Sequence, residues 1–151
     1  AVEPQCFRSC GWNLAWMKEC FGEQGMMEMM HEFIICSGTI GGSSDFYFAL
    51  LQLMLNDPAW KRCHRSSMDQ PILNRLVWKG NVSRAGIPYK LYGCNSGFMT
   101  LQWCASDGVL FNIHNQVISS SGSVPNYIHQ YNRFESLNSH VTIACGIDHF
   151  A

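Results

Sequence analysis

The stretch EFIICSGTIGGS, residues 32–43, decides how the chain reads. Phe33, Ile34 and Ile35 make an apolar run of strand length with β-branched content. Gly38, Gly41 and Gly42 then allow the backbone to turn or to approach another group closely. Ser43 or Ser44 is placed to cap a following helix, with Asp45 in its first turn at the positive end of the dipole. That helix spans roughly 44–56 and is apolar on nearly all sides, so it is expected to be buried, in its own core or against another chain. Asp57-Pro58 ends it.

Working outward, residues 1–11 read as an irregular segment. WNLAWMKECFGEQGMMEMMHEF (12–33) reads as one or two helical pieces broken near Gly22 and Gly25. Met17, Met26, Met27, Met29 and Met30 there suit an adaptable core. On the other side, SMDQPILNRLVWKG (67–80) predicts a helix with Met68 to Pro71 in its first turn, Asp69 at its positive end and Gly80 as the residue just past its end. Beyond it come short strands and turns: PYKLYG (88–93), FMTLQWC (98–104), VLFNIHNQV (109–117) and VPNYIHQ (124–130), with a last short helix over 134–140. Helices first and strands later make this an α+β chain, three to four helices against a small mixed sheet. With 151 residues and no repeat, low-complexity tract or linker, it reads as a single domain.

Composition narrows the function. A net charge of -1 leaves no electrostatic footprint for nucleic acid. Charged residues are 14% of the chain, against about 25% in a typical soluble domain. A surface so poor in charge fits burial against partner subunits; Ser, Asn and Gln supply the other route to solubility. No run is long and apolar enough to span a bilayer; FYFALLQLML (46–55) is too short and contains Gln52. Glu3 and Pro4 stand where the basic region of a signal peptide would be, so a leader is expected to have been removed or never present.

Cys6, Cys10, Cys20, Cys36, Cys63, Cys94, Cys104 and Cys145 are an even set, as a disulfide framework in a luminal, organellar or secreted setting requires. Several could instead be small buried apolar residues, as Cys36 reads. Zinc fits poorly: there is no C-x-x-C, and His140, Cys145 and His149 are irregularly spaced. NVS at 81–83 is a formal glycosylation sequon, relevant only in a luminal or secreted chain.

Three stretches carry candidate chemistry: CSGTIGGS (36–43), MDQPILNRLVW (68–78) and VPNYIHQYNRF (124–134). Gly38 and Gly41 could let a sugar ring lie against backbone amides, or simply make a tight strand-to-helix connection. Asp69 could accept from a sugar hydroxyl or orient an acceptor, or serve only the helix terminus. Gln70 and Asn74 are neutral hydrogen-bonding groups of the kind carbohydrate sites use, and equally of the kind that ties down loops. His129 is either a ligand for metal or substrate or a satisfied imidazole beside a β-run.

In this order the three stretches resemble the carboxyl half of nucleotide-sugar-dependent glycosyltransferases of the GT-A type, over most of residues 12–141, with HQYNR (129–133) as the sharpest part. The resemblance implies the acceptor-side half of such a fold. In an active enzyme it implies Asp69 as the residue contacting acceptor, and Ser37, Gly38, Gln70, Asn74, Tyr131 and Arg133 lining the substrate. It implies His129 at the position that completes a Mn²⁺ or Mg²⁺ site on the nucleotide-sugar diphosphate. The chain departs from that pattern. It holds no Asp-x-Asp: Asp45, Asp57, Asp69, Asp107 and Asp148 stand singly, and Asn132 replaces an acidic residue. Nor is there an alternating βαβ segment for a nucleotide-binding half.

A hard cation wants carboxylate oxygens, so the histidine alone would hold it weakly. The expectation is therefore a non-catalytic glycosyltransferase-like domain, without cofactor when isolated, acting as a structural or binding subunit among other protein subunits. Two alternatives stand beside it: half of an active metal-dependent enzyme completed by another polypeptide, and a secreted, disulfide-stapled module that binds carbohydrate.

Overall fold

The computed structural model describes residues 2–63, 69–94, 96–101, 110–130, 133–135 and 137. The chain is α+β and forms two compact units, residues 1–91 and 92–151. The division falls inside the extended segment 88–93, where the sequence offers no linker composition.

The first unit begins with β1 (Val2–Cys6), which pairs antiparallel with β2 (Phe33–Ile35). This corrects the expectation of an irregular amino-terminal segment. The pairing joins Val2 to Ile35 and Cys6 to Phe33, so the five residues of β1 oppose the three of β2. Exposed Pro4 lies in the resulting bulge, where a residue without an N–H is tolerated. The bulge breaks the alternation that would have betrayed a strand. A 3-10 turn at Phe7–Ser9 buries Phe7 and leads into α1 (Gly11–Met29).

Helix α1 is two pieces, as expected. Gly22 has φ 70, a left-handed conformation open to glycine, and a side chain at Gly25 would collide with that of Phe21. Met17 and Met29 are fully buried, whereas Met27 points outward. After β2, Thr39 closes a turn by donating to the Cys36 carbonyl from both its N–H and its Oγ1. Helix α2 (Ser44–Leu55) follows. Ser43 takes the N-cap position, but its side chain makes no capping bond. Asp57 instead caps the 3-10 turn Pro58–Lys61, accepting from Ala59 N–H at 2.8 Å.

Helix α3 (Asp69–Trp78) is the centre of the unit. Pro71, Ile72, Leu73, Asn74, Leu76 and Val77 are all buried in it. Its apolar members join Cys20, Ile35, Met54, Ala59, Cys63, Val82 and Ile87 in one core. Each large aliphatic side chain removed from water there contributes about 1.5–3 kcal/mol. A disulfide between Cys20 and Cys63 fastens α1 to the segment after α2. Gly80, at φ 72, ends α3 as expected and starts the short α4 (Asn81–Arg84). Met68, assigned to the first turn of α3, lies outside the described residues.

In the second unit, β3 (Phe98–Thr100) pairs parallel with β6 (Tyr127–His129), and β4 (Leu110–Phe111) pairs antiparallel with β5 (Val117–Ile118). Among the described residues the expected small mixed sheet is three two-stranded sheets, one parallel and two antiparallel. PYKLYG forms no strand, and Pro88 withholds a backbone donor within it. Met99, Leu101, Val117 and Leu137 make the core of this unit, with Ile128 and Phe134 against it. Most of the helix expected over 134–140 lies outside the described residues.

Of the two kinds of burial expected for α2, its own core supplies only part. Ala49, Leu50, Leu53 and Met54 form its inner stripe against the core. Phe46, Tyr47, Phe48, Leu51 and Leu55 are exposed, Phe48 at 62% and Leu55 at 54%. The core needs one apolar stripe from this helix, and the sequence supplies two.

Candidate functional site

The site residues read from the sequence fall into two groups, one in each unit. In the first, Gln70, Asn74 and Trp78 lie four residues apart on α3 and face three residues of the β2 strand and its extension. Trp78 Nε1 donates to the Phe33 carbonyl at 2.9 Å. Asn74 Nδ2 donates to the Ile35 carbonyl and its Oδ1 accepts from Ile35 N–H, both at 2.7 Å. Gln70 Oε1 accepts from Ser37 N–H at 3.3 Å and from Ser37 Oγ at 3.4 Å.

This ladder follows from elementary geometry. Four helical residues rise about 6 Å and two strand residues about 6.6 Å. A helix running antiparallel to a strand can therefore match every fourth side chain to every second backbone unit. Asn74 behaves as a missing strand: β1 occupies one edge of β2, and the amide satisfies the backbone on the other. It is fully buried, and its Nδ2 also serves the Gln70 carbonyl at 2.8 Å. The ladder extends inward, since Gln70 Nε2 donates to Asn13 Oδ1 and Asn13 Nδ2 approaches Cys10 Sγ at 3.2 Å. Asn13 was not singled out in the sequence, where it is one more polar residue in a helical stretch.

Ser37, Gln70 and Asn74 are thus brought together, and their polar atoms hold α3 to the strand. Gly38 is exposed in the turn that follows β2, and Asp69 is partly exposed at the first residue of α3. Gly41 and Gly42 have open space where a side chain would stand.

The second group sits at the carboxyl end of the parallel pair. His129 ends β6 opposite Thr100, the last residue of β3. Burial lowers the His129 pKa from the ordinary 6.5, and the Arg133 charge lowers it further, so the imidazole is neutral near pH 7. Gln130 then adopts a left-handed conformation, φ 61, and its carbonyl accepts from Arg133 N–H at 3.2 Å. The Arg133 side chain is exposed. Two buried polar atoms here have no hydrogen-bond partner: Thr100 Oγ1, in a residue 1% exposed, and Gln130 Oε1. Neither residue carries a signal in the sequence, because orphaned atoms and a left-handed backbone appear only in three dimensions. Tyr131 and Asn132 lie outside the described residues.

The resemblance implies a divalent cation at His129. Among the described residues no three His, Cys, Asp or Glu side chains gather as such an ion needs. The charged neighbour of His129 is itself a cation. The described residues alone do not make a site for a hard divalent ion. Of the cysteines, Cys94 is also disulfide-bonded, while Cys6, Cys10 and Cys36 are free thiols and the last two are buried. Cys104, His140, Cys145 and His149 lie outside the described residues. No helix among the described residues is long and apolar enough to cross a membrane. No family model, curated protein or solved structure matches this chain.

Proposed function

We propose that this chain is a non-catalytic, glycosyltransferase-like subunit that works by binding other protein chains of a larger assembly in an oxidising compartment. The observation that carries this is the second apolar stripe of α2. Phe48, Leu51 and Leu55 are exposed and stand outside the described core of their unit, and an open depression beside Tyr47, Phe48 and Leu51 runs along the helix. A contiguous apolar face rimmed by Asp45 and Gln52 is the chemistry of a protein contact. The low charged fraction points the same way. The Cys20–Cys63 disulfide supports the compartment.

The test is the behaviour of the purified chain in isolation. It is expected to self-associate and to bind an apolar-surface dye, and the double substitution Phe48→Glu with Leu51→Lys is expected to abolish both. A wild-type chain that is monodisperse and binds no dye would sink the reading.

A second reading has its own observation. Parallel strands bind ligands beyond their carboxyl ends, and that is where Thr100 Oγ1 and Gln130 Oε1 lie unsatisfied beside a neutral His129. On this reading the chain is the acceptor-side half of a metal-dependent glycosyltransferase whose remaining ligands come from another polypeptide. Calorimetric titration with a nucleoside diphosphate, with and without Mn²⁺, separates the two. Manganese-dependent binding by this polypeptide favours the second reading; no binding favours the first.

A further inference from the structure

The sequon at 81–83 plays no part in either reading, and its place in the fold gives it a use. Gly80, left-handed at φ 72, turns the chain out of α3, and Asn81 opens the four-residue α4. Val82 is 2% exposed and packs in the core of the first unit. Its carbonyl accepts from Ile87 N–H at 3.2 Å, and Gly86, at φ 70, completes the return. The middle residue of the sequon therefore pins the corner, while Asn81 stays partly exposed and Ser83 fully so. Asn81 Oδ1 accepts from Arg84 Nη2 at 3.0 Å. That bond uses the side-chain oxygen and leaves the nitrogen Nδ2 for other chemistry.

We propose that Asn81 carries an N-linked oligosaccharide, added at Nδ2 in the lumen of a secretory compartment. The inference rests on the oxidising compartment of the function proposed above. The donor is an oligosaccharide on a lipid diphosphate. Its C1–O bond to the diphosphate breaks, a bond forms between C1 and Asn81 Nδ2, the nitrogen loses one proton and the lipid diphosphate departs. Nothing is oxidised or reduced. The Oδ1 acceptor survives, so the Arg84 hydrogen bond is kept in the product. Because Val82 rather than Asn81 holds the corner to the core, the sugar does not compete with folding. The Cys20–Cys63 bridge and the disulfide-bonded Cys94 support a compartment where such a transfer occurs.

The experiment directs the full chain into the secretory pathway of a eukaryotic cell and collects both retained and released protein. Mass spectrometry reads Asn81 before and after enzymatic removal of N-glycans, which converts a modified asparagine to aspartate. A non-reducing digest of the same sample reads the Cys20–Cys63 link. Modification at Asn81 is expected, with complete loss in Ser83→Ala and retention in Ser83→Thr; neither variant touches the Arg84 bond or the core. Unmodified Asn81 in molecules that carry the disulfide overturns the glycosylation and leaves the compartment standing. Free thiols at both Cys20 and Cys63 overturn the compartment and the glycosylation with it.

Discussion

Helices α2 and α3 lie in one unit and are treated oppositely by it. Helix α2 is the more apolar, yet Met54 is its only fully buried residue. Helix α3 carries Asp, Gln, Asn and Arg, yet six of its ten residues are buried. Average hydrophobicity therefore does not decide which helix is central. Helix α3 is central because its spacing fits a strand: Gln70, Asn74 and Trp78 reach the backbone at Ser37, Ile35 and Phe33 in order. Its polar groups convert an open strand edge into a satisfied one, and the apolar residues between them fill the core. Helix α2 has no such register with a neighbour, so only one of its two apolar stripes is used. The lesson is that polar register selects the buried helix, and surplus hydrophobicity is what remains for a partner.

The contrast can be broken most severely at the covalent tie between α1 and the segment after α2. The Cys20–Cys63 bridge closes a loop of 43 residues that includes all of α2. On the chain-entropy account a loop of that length contributes about 4 kcal/mol. The double substitution Cys20→Ser with Cys63→Ser is expected to lower unfolding stability by roughly that amount, read by urea titration. A loss within about 0.5 kcal/mol, the range of inert surface changes, would mean the bridge ties together elements already fixed in the unfolded ensemble.

Next comes the ladder. Asn74→Ala strands the N–H and carbonyl of Ile35 in a buried place and leaves a small void. The expected loss is about 3 kcal/mol, from two unsatisfied backbone groups. Trp78→Phe removes an exposed bond to the Phe33 carbonyl and part of an indole packed against the core, and is expected to cost about 1–2 kcal/mol. If the two variants are equally mild, Asn74 is not acting as the second neighbour of β2, and the account of why α3 is central fails.

Much of this was legible in the sequence, and the illegible parts have physical causes. The strand at 33–35, the break at Gly22, the ends of α3 and the α+β class follow from local periodicity and turn chemistry. Ser37, Gln70 and Asn74 could be picked out as a group. Their role could not, because it depends on a helix lying antiparallel to a strand at matching rise, a relation between segments 33 residues apart. Strand β1 was hidden by its bulge at Pro4. For helix α2 the sequence left two coverings open, because an all-apolar stretch says that a helix will be covered and not by what. At the second group, His129 was visible by residue type; Thr100 and Gln130 were not, since an orphaned oxygen has no signature in one dimension.

Helix α2 offers the complementary test. Phe48→Glu with Leu51→Lys changes the exposed stripe and leaves Leu50, Leu53 and Met54 on the core. Stability of the isolated chain is expected to shift by less than about 0.5 kcal/mol, as for surface positions generally, while association falls at least tenfold. A substantial loss of stability would show that the stripe is packed within its own unit, and the contrast between the helices would vanish.

The smallest effect is expected in the second unit, at His129. Burial and then Arg133 depress its pKa in the folded chain, so the unfolded chain binds the proton more readily. The sign follows: wherever the unfolded state holds more protons, stability rises with pH. The contribution is therefore complete above the ordinary histidine value of 6.5 and is lost as pH falls through the lower folded value. Denaturation midpoints measured between about pH 7 and pH 5, the span over which histidine titrates, should fall toward acid, and His129→Gln should flatten part of that slope. Arg133→Gln should make the fall smaller, because removing a neighbouring positive charge moves the folded-state pKa back toward the ordinary value and narrows the difference between the two states. An unchanged slope in both variants would mean that the end of β6 is open to water, and that the two unsatisfied oxygens beside it are not enclosed with the imidazole.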